Sequence, residues 1–166
     1  MSSNRVVSYI DIGLATVEEY WDALLLPDVK AFLSEPDRRS LFNAAATVWH
    51  LHDWVWHDRN HGQNSRGPAF DAFRTDLLHA CPELGWLRDV ADASKHHGIG
   101  RVPAVEGASP QIVGTPIGLT IVLTREVVRF FLALNDGSKH DVDQVLRTAV
   151  AYWRTDLSAK NLSSPF

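Results

Sequence analysis

The sequence predicts a mainly α-helical protein, a four- to five-helix bundle with a β-hairpin over residues 117–137 inserted before the C-terminal helix. Apolar residues recur at helical spacing over most of the 166 residues, and N-cap residues precede several of these stretches. The exception is a run rich in Val, Ile, Thr and Phe, which is typical of strands. We expect a single domain over 1–166, with tails at 1–14 and 158–166.

The first helix is predicted from its capping signals. Thr16 is a typical N-cap, and Glu19 three residues later completes a capping box, so a helix should run from about residue 17 to 26. Pro27 should stop or kink this helix, because proline lacks a backbone N–H and its ring clashes with a preceding carbonyl. Residues 28–33 are expected to add another turn or two.

Three further helices precede the hairpin. Asp37 caps a helix over residues 38–60, which is apolar on most sides and therefore predicted to be central and buried. Residues 68–80 follow as an amphipathic helix with proline at its first position. The next helix is expected over residues 83–97, and Gly98 should terminate it.

The segment before the last helix is interpreted as a loop followed by two strands. Residues 99–116 are dense in Gly and Pro and are expected to be a loop. The strands are predicted over 117–124 and 127–134, with their turn near 125–126. A second turn is expected at 135–137, where Asn-Asp-Gly stands.

Asp141 should cap the last helix, with Gln144 as its capping-box partner. The apolar stripe of this helix falls on one face at i, i+4, i+8, i+11 and i+15. Its members are Val142, Leu146, Val150, Trp153 and Leu157.

Composition limits the functional classes. Hydrophobic residues make up 45% of the chain, which argues against extended disorder. A formal charge of −4 argues against bulk, sequence-independent DNA binding, although a local basic site is compatible with it. The single Cys81 excludes an internal disulfide framework and a thiolate zinc cluster. With no signal peptide and no membrane helix in the pattern, we expect a soluble, cytoplasmic protein without a membrane partner.

The second helix carries a stripe of potential metal ligands. His50, Asp53, His57 and His61 fall at i, i+3, i+7 and i+11, and so share one helical face. Imidazole and carboxylate are ligands for zinc, iron or nickel, which makes His50, Asp53 and His57 candidate metal ligands. The alternative is that these side chains fill space in a buried helix and bond to backbone carbonyls.

The helix before the loop carries a second polar cluster. Arg88, Asp92 and Lys95 lie at i, i+4 and i+7, and Asp89, Asp92 and His96 lie at i, i+3 and i+7. In the functional interpretation, His96 transfers a proton, oriented by Asp89 or Asp92, while Arg88 and Lys95 hold a phosphate or carboxylate. In the alternative, the cluster is a solvated face with weak i, i+4 ion pairs. Direct packing of the two helices would enclose both clusters in one polar network.

These residues resemble those of a group of small uncharacterised bacterial helical proteins. The shared motifs are Trp-His-x-x-Asp-Trp, a Cys-x-x-Leu helix start, Arg-Asp-x-Ala-x-x-x-Lys-His, an Asp-Gly turn and a Trp in the final helix. Here they are Trp49, His50, Asp53 and Trp54; Cys81 to Leu84; Arg88, Asp89, Ala91, Lys95 and His96; Asp136 and Gly137; and Trp153.

The helical layout is also distantly similar to HEPN domains, α-helical bundles found in nucleotide-binding and ribonuclease toxin systems. Their active helix carries an Arg followed, after four to six residues, by a His, and it cuts RNA without metal. Here Arg88 is followed by Asp89, and seven residues separate Arg88 from His96. The resemblance implies a homodimer.

The leading hypothesis is a HEPN-like module that binds RNA, a nucleotide or another phosphorylated ligand, and that acts as a metal-independent ribonuclease if it is an enzyme. Arg88, Asp89, Asp92 and His96 are its candidate catalytic residues, and Lys95 and Trp54 its candidate ligand contacts. The second hypothesis is a metal-dependent enzyme or metal-binding protein that uses the histidine stripe. The third is a non-catalytic interaction module. No cofactor is expected under the first hypothesis, and a zinc, iron or nickel ion under the second.

Overall fold

The computed structural model describes residues 13–61, 63–95, 101–117, 123–160 and 162–166. The helices are α1 (Val17–Tyr20), a π-helical segment (Trp21–Leu25), α2 (Leu26–Ser34), α3 (Arg38–Arg59), α4 (Pro68–Ala80), α5 (Pro82–Lys95) and α6 (Val142–Asp156). The strands are β1 (Val105–Ile117), β2 (Leu123–Leu134) and β3 (Lys139–Asp141). The predicted fold class, a mainly α protein with a hairpin before the C-terminal helix, is confirmed.

The first helix does not end at Pro27. The Thr16–Glu19 capping box forms as predicted, and the helical path then continues through the π-helical segment into α2. The N–H of Leu26 bonds to the carbonyl of Trp21, five residues back. This wider turn lies directly before Pro27, where the proline ring would crowd a preceding carbonyl in a regular α-helix. The π-turn therefore lets the chain accommodate a proline without ending the helix.

Helix α3 is the centre of the bundle, as its all-round apolar pattern predicts. Asp37 caps it, and α1, α2, α5 and α6 all pack against it. The indole of Trp153 on α6 donates a hydrogen bond to the carbonyl of Val48 at 3.1 Å. Nine α3 side chains are buried: Leu41, Ala44, Ala45, Val48, Trp49, Leu51, His52, Val55 and Trp56.

The position of the hairpin corrects the sequence-based prediction. Residues 105–116, expected within a loop, belong to β1, which pairs antiparallel with β2. The predicted turn at 125–126 is wrong, because both residues lie inside β2 and pair with Thr115 and Gly114. The hairpin arms therefore span 105–117 and 123–134 rather than 117–137. The prediction failed because Gly and Pro are typical of loops. β1 is an edge strand of the sheet, and an edge strand can also contain them.

The turn at 135–137 does form, and it joins β2 to a third strand that was not predicted. Gly137 has φ +83°, a conformation that favours glycine, and the N–H of Leu134 bonds to the carbonyl of Ser138 at 2.9 Å. β3 pairs with β2 only at residues 131–133, so the described strands form an antiparallel sheet in the order β1-β2-β3. Beyond this short pairing, the described residues of the two hairpin arms pair with each other.

Helix α6 buries its predicted apolar stripe against α3, α5 and β2. Its cap differs from the prediction, because the side chain of Asp141 accepts from the N–H of Asp143 rather than forming a box with Gln144.

The described residues of the predicted C-terminal tail, 158–160 and 162–166, are docked onto the bundle. The Lys160 ammonium contacts Glu18 at 3.1 Å and Asp58 at 3.2 Å. The indole of Trp21 donates to the carbonyl of Ser163 at 3.0 Å. Of the predicted N-terminal tail, residues 1–12 lie outside the described residues. Within the described part of the chain, every helix is too short or too polar to span a bilayer.

Replacing Leu146 with alanine should lower the free energy of unfolding by about 2–5 kcal/mol, because the side chain is fully buried and its removal leaves a cavity. Ile112→Ala is the matched control. That side chain is 69% exposed on the hairpin, so its truncation should change stability by no more than about 0.5 kcal/mol. Urea unfolding of both variants measures the difference, and equal losses of stability would contradict the placement of α6.

Candidate functional site

Helices α3 and α5 lie side by side, which was the condition for their polar clusters to meet. Lys95 Nζ on α5 is 3.2 Å from His50 Nε2 on α3. Two turns earlier on α5, the Arg88 guanidinium lies 5.7 Å from the centre of the Trp49 ring. The two motifs that the sequence singled out are therefore in direct contact.

A second arginine reaches the same tryptophan from α4. The Arg74 guanidinium lies 5.5 Å from the centre of the Trp49 ring and 5.7 Å from that of Phe70. Sequence reasoning missed Arg74, although a signal was present. It stands at i+4 from Phe70 and i−3 from Leu77, on the apolar face of an amphipathic helix where an arginine is out of place.

A third arginine comes from the segment after α5. Arg101 pairs with Asp89 Oδ1 through one guanidinium nitrogen and with Asp92 Oδ2 at 2.7 Å through another. Arg74, Arg88, Lys95 and Arg101 together are termed the cationic cluster. Because Arg101 occupies both nearby carboxylates, the remaining members have few opposite charges to contact.

Asp89 holds this segment in place. It is only 2% exposed, and its Oδ2 accepts hydrogen bonds from the backbone N–H of Ala104 at 2.6 Å and of Val105 at 3.2 Å. A buried carboxylate is stable only when it is paired, and Arg101 and these amides supply the partners. Asp89, a candidate catalytic residue, thus anchors the start of β1 to α5.

The cationic cluster contains buried hydrogen-bond donors without acceptors. Arg74 Nε and Arg88 Nε are both shielded from solvent and have no hydrogen-bond partner among the described residues. The nearest carboxylate atom to Arg88 Nε is Asp89 Oδ1, at 3.7 Å. Burial, followed by the proximity of Arg101, lowers the pKa of Arg88, while Asp89 opposes this shift. The guanidinium remains charged, because an arginine pKa lies far above neutral.

His50 faces the cluster from α3 as a neutral imidazole. Partial burial and the neighbouring Lys95 lower its pKa from 6.5, and Asp53 and Asp92 offset only part of this shift. At pH 7 its Nε2 is therefore an acceptor for the Lys95 ammonium.

His52 is a buried part of the aromatic core. Its ring stacks on Trp49 with centroids 4.1 Å apart, and the ring of Phe70 lies 5.6 Å away. Nδ1–H donates to the carbonyl of Trp49 at 2.6 Å, which fixes the tautomer. Burial lowers the pKa of His52.

The predicted metal ligands have separate neighbours. His57 Nε2 lies 3.0 Å from Ser65 Oγ, whereas Asp53 Oδ1 lies 3.8 Å from His52 Nε2. His61 is exposed beyond the end of α3, with φ +51°. Within the described part of the chain, no three His, Cys, Asp or Glu side chains are grouped so that they could hold a metal ion. The metal hypothesis stays a prediction from the sequence.

The last two candidate residues are Trp54 and His96. Trp54 is half-buried and packs on Tyr20 with ring centroids 5.0 Å apart, and the Tyr20 hydroxyl donates to the carbonyl of Thr47. His96 lies outside the described residues.

Comparison of the chain with protein-family models, with curated proteins and with solved structures finds no match. The site must therefore be interpreted from its own geometry.

The histidine environment predicts a pH-dependent stability. His52 has a folded-state pKa below its reference value of 6.5, so the unfolded chain binds more protons as the pH falls below 6.5. The stabilisation is complete above this pH and is lost as the pH falls towards the lowered pKa. We expect the free energy of unfolding, measured in urea, to decrease between about pH 7.5 and about pH 5.

The variant His52→Gln isolates this contribution, because glutamine can still donate to the Trp49 carbonyl but does not titrate in this range. Its stability should depend less steeply on pH than that of the unmodified protein, even if it is less stable throughout. An unchanged slope would show that His52 is not the group responsible.

Proposed function

We propose that this protein is a HEPN-like helical module that binds a phosphate-bearing ligand, with RNA as the leading candidate, at the cationic cluster. The observation that carries the proposal is the pair of buried, unpartnered guanidinium Nε–H groups of Arg74 and Arg88 on either side of the α4–α5 junction. A buried donor without an acceptor costs about 1–3 kcal/mol. An anionic ligand bound at the accessible parts of these two side chains would offset this cost through its charge.

The charges around the cluster favour phosphate. Four cationic side chains accompany the carboxylates of Asp89 and Asp92, and Arg101 already pairs with both. Guanidinium groups bind phosphate oxygens with charge-assisted, often bidentate hydrogen bonds, which a neutral ligand would not match. The net charge of −4 disfavours binding elsewhere on the surface, so binding should be confined to this face.

Lys95 and His50 extend the cluster along the α3–α5 contact. The ammonium of Lys95 has no carboxylate partner among the described residues, and its contact is the neutral imidazole of His50. Arg88 and Lys95 are seven residues apart on α5, about 10 Å along the helix axis. This spacing suits a ligand with more than one anionic group, such as an oligonucleotide.

Replacing Arg74 or Arg88 with glutamine should weaken binding of a short, fluorescein-labelled single-stranded RNA about tenfold each, because each change removes a charged donor from the site. Fluorescence anisotropy at several salt concentrations measures the affinity. The slope of log K against log salt should also become shallower by about 0.7 for each phosphate that the variant no longer neutralises.

Arg154→Gln is the matched control. Arg154 is exposed on α6 and forms no ion pair with any described residue, so this variant should bind RNA like the unmodified protein. Absence of saturable RNA binding by the unmodified protein, or an equal decrease of affinity in all three variants, would refute the proposal.

The ribonuclease form of the proposal assigns proton transfer to His96. RNA incubated with the protein in the presence of a chelator should then be cleaved, and His96→Ala should abolish cleavage while leaving RNA affinity within about twofold. Gel analysis of the labelled RNA measures the product. Binding without cleavage by the unmodified protein would limit the function to that of a binding module.

A further inference from the structure

A cavity separate from the cationic cluster lies where the base of the hairpin meets α3 and α5. Its volume is about 340 Å³, at the lower end of the range for small-molecule sites. The interior is apolar and is formed by side chains from α3, α5 and β2: Leu41, Phe42, Val90 and Phe130. Arg38 and Glu106 line it as well, and both are exposed.

Of the charged residues that line this cavity, some are already paired and others are free to bind a ligand. The carboxylate of Asp89 also lines the cavity, but Arg101 and two backbone amides already occupy it. Arg38 and Glu106, in contrast, form no ion pair with any described residue. The available groups are therefore one cation and one anion, together with an apolar interior.

The backbone of β1 places Glu106 at this position. The pairing register between β1 and β2 shifts between Val105 and Gly107, so Glu106 has no partner on β2. The shift is a β-bulge, a feature that redirects a side chain and that is frequent beside binding sites. As a result, the consecutive residues Val105 and Glu106 both line the cavity, whereas regular alternation would turn one of the two side chains away.

We propose that this cavity binds a free α-amino acid with a large apolar side chain. The apolar interior would hold the side chain, Arg38 would bind the α-carboxylate, and Glu106 would accept hydrogen bonds from the α-ammonium. An amino acid offers a group of opposite charge to each of these two side chains, whereas a purely apolar ligand, a simple anion or a simple cation would leave at least one of them paired only with water. The inference is independent of RNA binding at the cationic cluster.

Isothermal titration calorimetry with L-phenylalanine and the full chain tests the proposal. We expect saturable binding with one site per chain. Two analogues, phenethylamine without the carboxylate and 3-phenylpropanoate without the ammonium, should each bind at least about tenfold more weakly. Arg38→Gln and Glu106→Gln should each weaken L-phenylalanine binding by the same factor, and because both side chains are exposed, the variants should fold normally.

A cavity-filling pair supplies the structural control. Ala93 lines the cavity from α5, so Ala93→Phe should abolish binding, whereas Ala72→Phe, at an exposed position of α4, should not. Circular dichroism checks that both variants are folded. Absence of L-phenylalanine binding, equal affinity for either analogue, or binding that survives Ala93→Phe would overturn the proposal. RNA binding by Ala93→Phe reports separately on the cationic cluster.

Discussion

The buried carboxylate of Asp89 determines how the sheet is attached to the helical bundle. An ionised side chain that is almost completely removed from water must be neutralised and hydrogen-bonded. Asp89 meets this requirement by binding Arg101 and the backbone amides of Ala104 and Val105, which brings the chain after α5 back against the bundle. The position at which β1 begins follows from this contact.

The same contact shapes both proposed sites. On one side, it directs Arg101 to Asp89 and Asp92, so that Arg74 and Arg88 keep unpaired donors beside Trp49. On the other side, it places the first residues of β1 next to α5, where the β-bulge exposes Glu106 in the apolar cavity. A residue that the sequence suggested as catalytic thus has a positioning role for two surfaces.

Trp49 links the central helix to the cationic cluster. Its ring is buried, stacked on His52 and approached by Arg74 and Arg88. Cation–π contacts of this kind are worth about 0.5–2 kcal/mol each, and they help to offset the repulsion between two guanidinium groups. The tryptophan therefore contacts two cations at once, and this pair of cations is what the proposed anion site uses.

Local sequence signals determined the helices of this protein and part of its site. Capping residues such as Thr16 and Asp37, and the periodic burial along α3 and α6, depend on neighbours within a few residues, so they can be recognised without a tertiary structure. The proximity of the Trp49 and Arg88 motifs was only a hypothesis, because a single sequence does not show which helices pack together, and the structure confirms it.

Contacts between distant segments of the chain determined the first hairpin arm, the position of Arg74 and the course of the C-terminal residues. Residues 105–117 form a strand because they pair with β2, a separate segment of the chain. Without knowledge of that pairing, their high Gly and Pro content indicated a loop. Arg74 joined the cluster because α4 packs beside Trp49 of α3. The tail after α6 is held by contacts with residues near the start of the chain. Contacts between distant segments leave no local pattern, and only the tertiary structure determines them.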